Sequence, residues 1–102
     1  MAATNFVLAF VMVRHYVNAM SNYSKIVRSN VLAELGRKDI SQSRAAEWVK
    51  LSPASFGFRL NGKTEFRLGE LIVLAERLNV PFSVLVSGLD EIAAEHSKEL
   101  AS

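Results

Sequence analysis

The stretch from Ile40 to Gly62, ISQSRAAEWVKLSPASFGFRLNG, constrains the fold more than any other part of the chain. Its start and stop signals divide it into two short helices joined by a tight turn. Ser41 can open the first by offering its hydroxyl to a first-turn backbone N–H, and the run through Val49 turns Ala45, Ala46 and Val49 inward. Two alanines there permit close helix packing. Ser52 followed by Pro53 is a sharper signal, since the hydroxyl satisfies an orphan donor and proline's fixed φ suits the first helical position. Asn61 and Gly62 end this second helix, because glycine takes the left-handed closing conformation without a Cβ clash. From Pro53 to Asn61 the helix spans roughly 13 Å.

Within it, Phe56 and Leu60 lie one turn apart and form the buried stripe. Pro53, Ala54, Ser55, Gly57, Phe58 and Arg59 are left for the surface. A helix built only for core packing seldom places glycine mid-helix, where it costs roughly 1 kcal/mol against alanine. Close approach to another molecule explains Gly57. Two uses fit this punctuation. One is an ordinary helical hairpin inside a small bundle. The other is a helix shaped for the major groove of B-DNA, about 12 Å wide, where small residues bring the backbone near base edges.

From Ile40 to Val86 the chain resembles the helix-turn-helix domain of the Cro and lambda-repressor family, also called XRE-type regulators, and aligns with it without a gap. The residues that carry the resemblance are Ile40-Ser41-Gln42, Ala46, Val49, Ser52, Phe56, Asn61-Gly62, Leu68, Leu71, Leu74-Ala75, Leu78, Val80 and Leu85. No short motif among them is decisive, but their joint spacing is specific, and it covers about half of the chain. The resemblance implies that Gln42, opening the first helix of the pair, contacts a backbone phosphate, as suits a helix N-terminus.

It also implies that Pro53, Ala54, Ser55 and Phe58 face the bases, with Arg59 near the groove edge. Arginine pairs bidentately with guanine, serine bonds to several bases, and Ala54 and Phe58 suit thymine methyls, so Arg59 is the strongest single candidate for a base reader. A phosphate contact or a solvated guanidinium is the alternative for Arg59. Lys50 and Ser52 in the turn, and Asn61, Lys63, Thr64 and Arg67 after the helix, are the remaining phosphate candidates. Such contacts set register and supply salt-dependent affinity. Two positions depart from the family pattern. Lys50 stands where the turn often has glycine, at a cost of order 1 kcal/mol if its φ is positive. Arg67 stands where a small capping residue is usual.

The chain has 102 residues, half of them hydrophobic, which suits one domain with a modest core. It has no cysteine, and so neither a disulfide nor a thiolate metal site. The net charge of +2 is unevenly spread. Residues 37–67 hold seven basic against three acidic side chains, net +4, whereas residues 89–102 hold one against four, net −3. The basic part is the candidate DNA face.

Upstream, Asn22 or Ser24 starts a helix that runs to Leu35 with Val27, Val31, Leu32 and Leu35 inward and Gly36 as its stop. Downstream, Leu68, Leu71, Ile72, Ala75 and Leu78 recur at helical spacing until Asn79, and Pro81 to Val86 forms a short fifth helix contributing Phe82 and Leu85. Residues 89–102 form an acidic helix or tail, with Asp90 as its cap. The opening run Phe6–Val13 is eight apolar residues, too short to cross a bilayer alone, where about 20 are needed. Three readings of residues 1–20 stand: an extra helix docked on the bundle, a dimerisation arm, or sequence ahead of a natural start at Met20. His15 and His96 lack the partner spacing of a helical zinc site, and no nucleophile elbow or phosphate loop is present.

The expected fold is therefore all-α: a five-helix lambda-repressor-like bundle over 21–88, with an apolar extension over 1–20 and an acidic segment over 89–102. The expected function is sequence-specific binding of double-stranded DNA as a cytoplasmic, homodimeric transcriptional regulator, with no enzymatic activity, cofactor, metal or membrane. The alternative is the same fold used as a protein-interaction module, an antitoxin or adaptor that captures its partner through the apolar N-terminal segment.

Overall fold

A computed structural model describes residues 22–101, and among them every regular element is helical. The readings of residues 1–20 lie outside the described residues. Helix α1 spans 22–37. It is followed by α2 (Gln42–Trp48), α3 (Pro53–Asn61), α4 (Leu68–Leu78), α5 (Phe82–Leu85) and α6 (Leu89–Ala101). The first five surround one apolar core. Val27, Val31 and Leu35 enter it from α1, Ala45 and Ala46 from α2, and Phe56 and Leu60 from α3. Leu71, Leu74, Ala75 and Leu78 come from α4, and Leu85 from α5.

Helix α1 runs through Gly36 to Arg37 instead of stopping at the glycine. The left-handed closing residue is Asp39, φ 55°, after which the Ile40 N–H donates to the Leu35 carbonyl at 2.9 Å. Leu32, expected inward, is 44% exposed. It lies about 100° round the helix from Val31. Glu34 occupies the place beside Val31 and Leu35, almost fully buried, with its carboxylate paired to Arg37. Arg37 thus folds back on its own helix.

The inward face of α4 is narrower than its apolar pattern predicts. Leu71, Leu74, Ala75 and Leu78 are buried, whereas Leu68 and Ile72 are 64% and 50% exposed. Ile72 sits about 100° and Leu68 about 60° round the helix from Leu71, on the same margin of the core face. In α5 only Leu85 is fully enclosed, and Phe82 stays partly exposed. Pro81 and Val86 flank this helix as its caps. The Asn30 amide, on α1, donates to the carbonyls of Leu85 at 2.9 Å and Ser87 at 3.0 Å, which ties α1 to the turn between α5 and α6.

Candidate nucleic-acid interface

Both boundaries of α3 follow from local chemistry. Ser52 is extended, φ −67° and ψ 156°, and its Oγ accepts from the Ser55 N–H at 3.1 Å. The Ser52 hydroxyl lies 3.0 Å from that of Ser55, Pro53 fills the first helical position, and Gly62 closes the helix at φ 87°. Phe56 and Leu60 point into the core, where Phe56 meets Phe66 edge to face with centroids 5.8 Å apart. The opposite side is open. Pro53, Ala54, Phe58 and Asn61 are exposed, and Ser55, Gly57 and Arg59 are half-buried on its flanks. A Cβ built at Gly57 would meet nothing within 4 Å, so nothing among the described residues requires glycine there.

The Arg59 guanidinium, the strongest sequence candidate for a base reader, is engaged within the chain in this structure. Its Nε donates to Glu70 Oε1 at 2.9 Å, its Nη2 to Glu70 Oε2 at 3.2 Å, and its Nη1 to Thr64 Oγ1 at 2.7 Å. The Arg59 and Glu70 side chains are each only 11% exposed. On α3, Arg59 lies toward the core side, about 60° from Phe56, which aims it at α4 and away from solvent. The hydrogen bond to Glu70 raises the Arg59 pKa against the opposing effect of burial. Burial pushes the Glu70 carboxyl up, but the Arg59 guanidinium and the Arg67 backbone N–H, which donates to Oε1 at 2.9 Å, hold it below its ordinary value. One carboxylate therefore caps α4, holds α3 and, through Arg59 and Thr64, orders the loop between them.

The other expected site residues gather around α3. Gln42 is exposed at the first position of α2, and the cap there is Ser41, whose Oγ accepts from the Arg44 N–H at 3.1 Å. Lys50 is exposed in the turn at φ 58° and carries the positive φ that its departure from glycine implies. Beyond α3, Asn61 Oδ1 accepts from the Lys63 N–H at 3.0 Å, and the Lys63 ammonium sits 5.0 Å from the centre of the Phe58 ring. The Thr64 N–H donates to the Phe58 carbonyl at 3.2 Å. Arg67 is exposed at the N-cap of α4, where Glu70 caps its backbone. Trp48 is half-buried against the core with the Arg44 guanidinium 5.9 Å from its ring.

Two contributors carry no sequence signal. Glu70 reads as an ordinary surface residue of an amphipathic helix until α3 is placed beside α4. Arg28 reaches from α1 to the end of α3, where a Cβ on Gly62 would come within 2.5 Å of its Nη1. A cation there complements the negative end of the α3 dipole.

Among the described residues no helix is long and apolar enough to cross a membrane, and no group of three acidic or histidine side chains could hold a metal ion. No protein-family model and no curated protein matches the chain. Among solved structures, the fold is similar to the solution structure of the SOS-response transcriptional repressor LexA from Eubacterium rectale. The TM-score is 0.58 and the identity 23%, over 65% of this chain and 70% of that one. The chain therefore has an all-helical fold of the helix-turn-helix type, shared in its architecture with a repressor.

Proposed function

We propose that the protein is a sequence-specific double-stranded DNA-binding regulator of transcription, of the small repressor or Cro-like kind found in phages, prophages and bacteria, acting by occupying an operator. The observation that carries this reading is the outer face of α3. Pro53, Ala54 and Phe58 are exposed on it, no acidic side chain lies in its first turn, and no described residue comes close enough to Gly57 to require glycine. The helix is short enough to lie in a major groove. Lys50 and Lys63 border it at either end, where phosphates flank the groove, and Gln42, Ser52, Asn61, Thr64 and Arg67 add polar groups at the same margins. Pro53, Ala54, Ser55 and Phe58 are the base-facing set.

One short helix reads too few base pairs to discriminate well, so the working form is a homodimer on half-sites about 34 Å apart, one turn of DNA. The exposed pair Leu68 and Ile72 supports association of some kind, and it is the observation that favours the second reading, a protein-interaction module. Titration with random duplex DNA at several salt concentrations separates the two. Phosphate contacts predict a log–log slope of about −0.9 per contact. Negligible binding at low salt, or a flat response, refutes the DNA reading in favour of the module.

A further inference from the structure

We propose that the operator half-site is read through the 5-methyl groups of thymines, with Ala54 and Phe58 as the specificity-determining contacts; this rests on the DNA-binding reading above. Helix α3 presents no side chain free for bidentate pairing with a base. Bidentate recognition of guanine needs two donors on one side chain, and that of adenine needs a donor and an acceptor together. Arg59 is the one guanidinium on the helix, and both its edges are occupied by Glu70 and Thr64. Asn61 turns its Oδ1 back to the Lys63 N–H, which occupies the acceptor that adenine would require. Ser55, half-buried on the flank, has a single hydroxyl that accepts from that of Ser52 and keeps one donor, which is too little for bidentate pairing.

What remains on the outer face is hydrocarbon. Ala54 and Phe58 are four residues apart, so they lie on one side of α3 about 6 Å apart along its axis. That is close to two base steps of about 3.4 Å. Phe58 is a large apolar side chain left 42% exposed among the described residues. Lys63 holds its ring from one face at 5.0 Å, which fixes the ring's orientation and leaves an ammonium beside it for a phosphate. Thymine is the base that presents an apolar group in the major groove, and contact with it needs a dry surface rather than a paired polar group.

The test begins with duplexes selected from random DNA, which are then resynthesised with deoxyuracil in place of every thymine. The wild-type chain should select half-sites with thymines about two steps apart. It should bind the uracil duplex about fourfold more weakly per lost methyl, about fifteenfold for two, as expected for one buried hydrocarbon carbon each. Phe58→Ala should reduce that penalty to about fourfold, while Phe58→Leu, which keeps an apolar end, should retain most of it. Helical circular dichroism and thermal melts like those of the wild type show that both variants fold, so that a changed penalty reports on recognition. Equal affinity for thymine and uracil duplexes, or a penalty that Phe58→Ala leaves intact, overturns methyl readout while DNA binding stands. Absence of binding to any duplex at low salt refutes the DNA reading itself.

Discussion

Gly57→Ala separates what α3 needs for folding from what it needs for recognition. Alanine is favoured over glycine in a helix interior by about 1 kcal/mol, and the open space around this position means that no clash subtracts from the gain. For a domain of this size that corresponds to a rise in melting temperature of roughly 4–8 °C. On the proposed reading the same methyl thickens the flank of the helix that lies against DNA. If it displaces α3 enough to lose one base contact worth about 1–3 kcal/mol, affinity for a selected duplex falls roughly five- to 150-fold. The assay is a thermal melt followed by a binding titration on one preparation, and opposite signs are expected. A variant that is more stable and binds its selected duplex as tightly as the wild type refutes the argument that Gly57 serves close approach. A variant that is less stable refutes the open space on which the gain depends.

Other substitutions probe the surroundings of α3. Glu70→Gln should destabilise the fold by about 2–3 kcal/mol, because charged hydrogen bonds to Arg59 and the Arg67 N–H are weakened together, and the combined change with Arg59→Ala should be far from additive; additive effects would mean the two residues act separately. Glu70 is held below its ordinary value, so the wild-type advantage over Glu70→Gln should be complete above the ordinary glutamate pKa of about 4.3 and disappear as pH falls through the lower folded-state value. Melting curves at pH 7 and pH 3 that differ by the same amount would contradict this. Lys50→Gly should raise stability by up to about 1 kcal/mol by relieving its positive φ, yet lower the salt slope of DNA binding by about 0.9. Ser52→Ala should cost about 1 kcal/mol by stranding the Ser55 N–H, and an unchanged melt would show that water replaces the cap.

The residues that were legible in sequence are those whose conformation is decided locally. Ser52-Pro53 and Asn61-Gly62 bound α3 because a cap, a fixed φ and a left-handed glycine act within a few residues of themselves. The all-helical fold followed from the same kind of signal, repeated along the chain. Periodicity located the apolar face of α1 and α4 but not its width, so Leu32, Leu68 and Ile72 read as core while the structure leaves them at its margin. Gly36 resembled a stop, yet the helix passed through it because Asp39 supplies the left-handed turn. Arg59 was the least legible. Its partner lies on the next helix, and no pattern of spacing within α3 shows that a guanidinium will turn inward toward Glu70.

The Asn30 side chain grips two carbonyls on either side of a single bend, and nothing else described in the structure connects α1 to the start of α6 through a polar contact. The turn that leads into the acidic terminal helix is therefore tied to α1 by one amide, beside the packing of Ile26 near Gly88 and of Leu89 on the core. Losing that amide would leave the core residues in place while loosening the turn from which the last helix departs, so α1 and that turn share a mechanical joint remote from α3.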